Sequence, residues 1–522
     1  MDLEQEAHSW KKVFWCVSAL SIGLKLLIAT KVPLTGDEAY YVMWGKYPAL
    51  GYYDQPPMMG WILAIMRQWG TSPVILRLPV IFLSSILAPF LVDLLLRRGR
   101  ESSGSVESSR LVRAYLGGAL FLIAPIHFLL PILSTDVPLV LFSFFSFYFF
   151  YRSIQEDRKL LAAFGGLFFG LAFLSKYFVI LLGLSFFAYA LGSFRSKKVW
   201  KMLGIGILSF LPSLALHLYW NSSHCWVNLV FNTVGRNVGE TENFSQVIEY
   251  IKFQLILIGP VGVYYLFRSR KRWVNFSDRP LEFLGGLCFF IPLLVFGLSS
   301  FKFRQGLHWT LSFYPFFYLV IASVWSEVDL KSAFRWTALL SGASAASVLV
   351  LISLSPETWR EKGFYPGLKM YLAAPALSHV LESYQGEYLL AADGYTEAAL
   401  LEAAAPVRVR VFGEGVLFGR QDDLLSDFRS MNGKNVLVFT RHAKEIAEYQ
   451  AYFETIEKRE VNFEGRTYRL FLGHQFKYPV YRNQILSQVR RSYYSQSCRF
   501  LGVGECAIIS RYFDDSGLGP NK

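Results

Sequence analysis

Charge is what this chain has least of. Asp, Glu, Lys and Arg make up 17% of its 522 residues, against 53% hydrophobic and 17% aromatic residues. Soluble domains carry about a quarter charged residues, so an ordinary globular protein is excluded. Cysteine is sparse as well. Cys16, Cys225, Cys288, Cys498 and Cys506 include no close pair of the kind that builds a zinc site. No internal repeat and no low-complexity tract is present, and no basic segment stands apart from the apolar runs. The net charge of +13 therefore does not mark a nucleic-acid partner. No small-residue cleavage site follows the first apolar run, which is read as a retained anchor.

What the chain does have is long apolar runs. They fall near 13–32, 74–96, 114–132, 137–151, 161–175, 177–194, 202–220, 251–267, 281–299, 310–325 and 336–354, about eleven in all. Basic residues cluster between alternate runs: Lys11 and Lys12, the 97–113 segment, Arg152 to Lys159, Arg195 to Lys201, Arg268 to Arg272, and Lys331 with Arg335. About twenty basic residues fall on one side against roughly seven on the other, which orients that side toward the cytoplasm. The expected fold is a polytopic α-helical membrane domain over 1–354, with a first outer loop at 33–73. Residues 355–522 then form a C-terminal extracytoplasmic α/β domain. Its strands are expected at Glu387–Ala392 and Asn435–Thr440, with helices near 395–404 and 441–455. If that domain lies outside the cytoplasm, Cys498 and Cys506 are either disulfide-bonded or two independent thiols.

The same alternation assembles ionisable residues on the outer face. Asp37, Glu38 and Asp54 lie in the first outer loop, Asp136 in a tight turn between runs, and Lys176 in the turn Ser175-Lys176-Tyr177. Lys302, Arg304 and His308 share a further turn. Separate turns that supply acids and cations to one membrane face can build a composite site, where charge meets both a lipid-borne substrate and water. Each residue also has a structural reading. Asp37 and Asp136 can cap helices, Glu38 can support a helix start, Asp54 before Pro56-Pro57 suits a turn, and Lys176 can snorkel. Lys25, well inside the first run, needs a partner or water, and the sequence does not reveal which residue serves.

The segments Asp37-Glu38-Ala39-Tyr40-Tyr41 and Gly51-Tyr52-Tyr53-Asp54-Gln55-Pro56-Pro57 resemble the first outer loop of bacterial membrane glycosyltransferases. The family is that of the lipid A aminoarabinose transferases and protein O-mannosyltransferases. Thr135-Asp136-Val137-Pro138, Leu174-Ser175-Lys176-Tyr177 and the Lys302-to-Trp309 turn extend the resemblance over most of 33–320. Where that family commonly has His after Tyr-Tyr-Asp, this chain has Gln55.

The resemblance implies a type C glycosyltransferase fold and a bacterial inner-membrane enzyme with its active site on the periplasmic side. Such an enzyme moves a sugar from a polyprenyl-phosphate donor to lipid A or another envelope lipid or glycan, with inversion. It implies Asp37 and Asp136 as catalytic residues. Glu38, Tyr40, Tyr53, Asp54, Lys176, Tyr177, Lys302, Arg304 and His308 would contact substrate. No cofactor or metal beyond the donor is required, and membrane lipids are the other partners. The competing reading is a transporter or lipid flippase. That reading calls for mid-membrane charge and internal symmetry, whereas these charges are loop-borne and one-sided.

Overall fold

The computed structural model describes residues 3–97, 105–129, 131–193, 195–233, 244–273, 279–463, 465–494 and 507–513. Cys498 and Cys506 lie outside these described residues. The chain forms two compact units. One comprises Met1–Val32, Arg77–Ala215 and Gly239–Ser353; the other comprises Pro33–Leu76, Leu216–Val238 and Leu354–Lys522. The first outer loop and the 216–238 segment thus group with the C-terminal residues, a division that contiguous ranges could not express.

Among the described residues, eight helices are long and apolar enough to cross a membrane, and Lys159–Phe173 and Val179–Gly192 are shorter apolar helices. Every expected apolar run falls on a helix, the 114–132 run on Ser105–Leu122 followed by the 3-10 turn Pro125–Leu129. In such a setting helices associate through close backbone approach at small residues. Gly165 illustrates this: a Cβ there would lie 3.2 Å from the Phe150 amide nitrogen. Ser146 Oγ donates to the Gly165 carbonyl at 2.9 Å in the same seam.

Two buried cations in the first unit are satisfied by the protein itself. Lys25 Nζ donates to Ser84 Oγ at 2.7 Å, which supplies the partner the sequence left unnamed. Arg77 donates to the Val32 carbonyl at 2.7 Å, at the end of the helix Leu3–Lys31. That bond satisfies a carbonyl which the helix leaves without a partner.

In the second unit, helix Gly36–Lys46 starts with a capping box. Thr35 Oγ1 accepts from the Glu38 amide, and Glu38 Oε2 accepts from the Thr35 amide at 3.0 Å. Caps of this kind contribute about 1 kcal/mol.

The C-terminal residues build a five-stranded mixed sheet in the order β2-β1-β3-β5-β4. The strands are β1 Leu389–Ala392, β2 Val409–Val411, β3 Val436–Thr440, β4 Thr455–Phe463 and β5 Arg466–His474. β3 runs parallel to β1 and antiparallel to β5, and all five of its residues are buried. A continuous apolar run is what a strand covered on both faces requires. β4, at the edge, carries Glu457, Lys458, Arg459 and Glu460, charges that protect a free edge from further pairing.

β1, β3 and the helix Tyr395–Ala404 fall where the sequence placed them, β2, β4 and β5 are additional to the two expected strands, and the stretch 441–455 does not form a helix. It makes two 3-10 turns, Ile446–Glu448 and Gln450–Tyr452. Aromatic anchoring explains the difference. Tyr449 packs on Phe471 at 4.8 Å between ring centres, and Phe453 stacks on Phe412 at 5.8 Å. A helix of that length would carry the two rings off the sheet. Phe471, fully buried beneath Tyr449, is therefore central. Phe471→Ala is expected to cost about 3–5 kcal/mol, read as at least a hundredfold faster hydrogen exchange at the β3 amides.

Candidate active site

In the first unit, three of the expected residues come together. Asp136 opens the helix Asp136–Glu156, and Lys176 lies in the break between Lys159–Phe173 and Val179–Gly192. Lys176 Nζ donates to both Asp136 oxygens, at 2.8 and 3.0 Å, and the Lys176 and Asp136 side chains are 5% and 1% exposed. His308 Nε2 lies 3.7 Å from Asp136 Oδ2 and is half exposed, so it forms the open edge of the cluster. Lys176 also lies over the Phe178 ring at 4.9 Å, and Tyr177 packs against Phe173.

A buried pair of this kind has low value as a net stabiliser. Removing one partner is costly, however, because the other charge stays buried. Lys302 and Arg304, from the same turn as His308, take other positions. Lys302 is exposed beside the Phe303 ring, and Arg304 makes a two-bond fork to Glu249 at 2.8 and 3.1 Å on an exposed surface.

The remaining candidates belong to the second unit. Asp37 lies in the first turn of the helix Gly36–Lys46 and is exposed, while Glu38 beside it is buried in the capping box. Solvent reaches the Asp37 carboxylate, but packed neighbours displace much of its water. Its pKa is raised, first by that burial and second by the negative charge of Glu38. Tyr395 shares this neighbourhood: burial raises its phenol, with Asp37 the next cause and Asp54 a further one.

Asp54 is buried and bonded on both sides. Tyr40 OH donates to Oδ1 at 3.4 Å, and the Gly419 amide donates to Oδ2 at 3.2 Å. Tyr40 OH in turn accepts from the Gln421 amide, and the Tyr53 amide donates to Gln421 Oε1 at 2.8 Å. Burial pushes the phenols of Tyr40 and Tyr53 up. Gln55, the departure from the family pattern, closes the turn with Tyr52 through its carbonyl. Its buried side-chain oxygen has no hydrogen-bond partner among the described residues.

The sequence did not reveal that residues 419–421 hold the first loop. Their signal was Phe412-Gly413-Glu414-Gly415 followed by Gly419, three glycines that adopt φ of 107°, 60° and 76°. Such a left-handed run marks an irregular loop shaped to follow another backbone. The side chains of Asn228 and Asn232 fix the same loop from a third segment, donating to the Tyr52 and Asp54 carbonyls at 2.7 and 2.8 Å.

Residues 54–220, which carry Asp54, Asp136 and Lys176, match the family described as dolichyl-phosphate-mannose-protein mannosyltransferase. A crystal structure of ArnT from Cupriavidus metallidurans bound to undecaprenyl phosphate matches with a TM-score of 0.59 at 15% identity. It covers 89% of this chain and 98% of that one. The chain has the type C glycosyltransferase fold. Lipid A galacturonosyltransferase RgtD of Rhizobium johnstonii is 24% identical over 257 residues, which are 45% of this chain and 50% of that protein. The chain thus spans half the length of that curated relative. Within the type C fold, Asp136 and Lys176 sit at the start of one apolar helix and in the break between two others.

Replacing Lys176 by Met is expected to strand the Asp136 charge and cost about 3–5 kcal/mol. Adding Asp136→Asn to that variant should recover most of the loss. Thermal unfolding of the purified protein in nanodiscs checks both, and a double variant no more stable than Lys176→Met would show that the pair is not coupled.

Proposed function

We propose that this chain is a membrane glycosyltransferase. It moves a sugar from a polyprenyl-phosphate donor to a hydroxyl of lipid A or another envelope glycolipid, on the periplasmic face of a bacterial inner membrane. The observation that carries this reading is Asp37, a solvent-reachable carboxylate of weakened acidity in the outer loop of a type C fold. The disulfide-bonded state of Cys225 supports an oxidising compartment for the unit that holds Asp37.

In this reading the acceptor oxygen attacks the anomeric carbon from the face opposite the phosphate. Its proton passes to the Asp37 carboxylate as the new C–O bond forms. The bond between the anomeric carbon and the phosphate oxygen breaks, and its electron pair stays on the phosphate. Lys176 stabilises that growing negative charge, which is larger in the transition state than in the bound donor. Asp136 orients Lys176, and His308 offers a second donor at the open edge of the pair. Lys302 and Arg304 attract the phosphate toward this face. Glu38 keeps Asp37 basic, while Tyr40, Tyr53 and Asp54 hold the loop that presents it.

Three outcomes are expected. Asp37→Asn abolishes transfer from a radiolabelled polyprenyl-phosphate sugar. Because a raised carboxylate pKa makes the charged form a cost to folding above that pKa, the same variant should unfold at an equal or higher temperature at neutral pH. Wild-type turnover in Asp37→Asn would remove this residue from the mechanism.

The second outcome concerns pH. As the base, Asp37 must be ionised, so kcat/KM should fall on acidification with a midpoint above the ordinary carboxylate range of about 4. Glu38→Gln preserves the capping pattern and removes the negative neighbour. The acid limb should therefore move to lower pH, though only in part, because burial is the larger cause. An unmoved limb would assign the titration to another group. Third, EDTA is expected to leave the rate within about twofold, since lysine can neutralise a monophosphate.

A further inference from the structure

A second concentration of positive charge lies wholly within the second unit and includes none of the candidate site residues above. Two adjoining hollows of 880 and 680 Å³ share Arg441, His442 and Arg466. Three chain segments form them: residues 357–371, the turn after β3, and the start of β5. The larger hollow is lined by Arg360, Lys369, Arg441, Arg466 and Arg469 against the single carboxylate Glu357. The smaller one is lined by Phe364, Tyr371, Tyr468 and the bare backbone of Gly363 and Gly367.

The cations fall into two groups. Lys369 is buried against Glu357 at 2.6 Å, and Arg441 is fixed by the buried Glu397 at 2.5 Å. Arg469 pairs with Glu460 at 3.3 Å and donates to the His442 carbonyl at 3.0 Å. These three are anchored side chains. Among the described residues neither Arg360 nor Arg466 makes an ion pair within 4.0 Å, and Arg360 lies only within electrostatic reach of Glu357, which Lys369 already holds. A solvated charged surface looks different, and the neighbouring hairpin shows how. There Lys458 pairs with Glu445 at 2.9 Å and Arg459 with Glu457 at 3.6 Å.

The apolar hollow complements the charged one. Phe364 is 57% exposed, with its ring 5.7 Å from that of Trp359. A Cβ placed on Gly363 or Gly367 would meet nothing within 4 Å, so both glycines leave open floor. In the sequence the segment 357–371 begins four residues after Ser353, the end of the last long apolar helix, and exposed aromatics beside basic residues are characteristic of the membrane interface. Guanidinium forks match phosphate oxygens bidentately, and aromatic faces with smooth backbone suit the apolar side of a sugar ring.

We propose that these paired hollows bind the phosphorylated saccharide headgroup of a lipid, with its phosphates on Arg360, Arg441 and Arg466 and its sugar over Phe364 and the glycine floor. The inference rests on the reading of this chain as an enzyme of envelope glycolipids and assigns the headgroup of the acceptor to this site.

The test uses the full chain in nanodiscs and calorimetric titration with three probes. They are a bis-phosphorylated glucosamine disaccharide without acyl chains, the same disaccharide without phosphates, and inorganic phosphate. The phosphorylated disaccharide should bind at least about a hundredfold more tightly than the unphosphorylated one, given two charge-assisted contacts. Arg360→Ala with Arg466→Ala removes cations that hold no carboxylate, so the fold should survive, and affinity should drop at least about tenfold. Gly367→Gln, which favours the helix and projects into open floor, should weaken binding comparably.

Unchanged affinity in both variants would overturn the site. Inorganic phosphate displacing the disaccharide at equal concentration would overturn it in favour of free phosphate. Binding lost in the double variant supports the site whether or not sugar transfer is detected. Transfer without such binding overturns the site and leaves the proposed enzyme standing.

Discussion

Placing a charge where water is scarce is the constraint on which the first unit's arrangement depends. Lys176 and Asp136 are nearly inaccessible, and each is tolerable there because of the other. The geometry around them follows from this requirement. The apolar segment containing Lys176 breaks between Phe173 and Val179, so that the ammonium leaves the helix surface. Asp136 occupies the first turn of its helix, where the exposed amides and the helix dipole favour a negative charge. A lysine held in this way, by two bonds to one carboxylate, keeps a fixed position.

The second unit handles its acids by dividing their tasks. Glu38 is consumed by the capping box and Asp54 by bonds to Tyr40 and Gly419, so both hold backbone in place. Asp37, between them in sequence, remains open to solvent with its acidity weakened by burial and by Glu38. Three carboxylates within eighteen residues therefore do different work, and environment decides which does which. The bonding also explains why residues 33–76 belong to one compact unit with residues 354–522. The first loop has no sheet of its own and borrows rigidity from the glycine loop 413–421.

How much of this was legible depended on range. Apolar runs declare themselves within a window of about twenty residues, and each of those read from the sequence corresponds to a helix. The interruption at Ser175-Lys176-Tyr177 and the buried strand Val436–Thr440 were equally local signals. Long-range partners were not legible. Nothing near Lys25 points to Ser84, nothing near Asp54 points to Gly419, and Arg77 shows no sign of the helix end it completes. The stretch 441–455 misled for the same reason: its apolar spacing suits a helix, and only the rings of Phe412 and Phe471, distant in sequence, reveal that Tyr449 and Phe453 are pinned to a sheet. Glu38 could be read two ways from sequence alone, because a carboxylate three residues after threonine serves a cap as readily as a substrate.

The difference between the buried pair and the cationic hollow shows what charge is for in each place. At Lys176 the counter-charge is internal, because Asp136 accepts from the ammonium with both of its oxygens. Around Arg360 and Arg466 the counter-charge is incomplete, so the attraction exists before any reaction and extends into solvent for roughly a Debye length of 8–10 Å. In the proposed reaction the first arrangement would discriminate a transition state from a ground state, whereas the second would concentrate an anion near the protein without distinguishing the two. The proposed transfer would use both, because its acceptor would be dilute in the plane of the membrane while its chemistry would depend on a single phosphate leaving. Two sets of cations, one compensated and one not, answer requirements that a single set could not meet together.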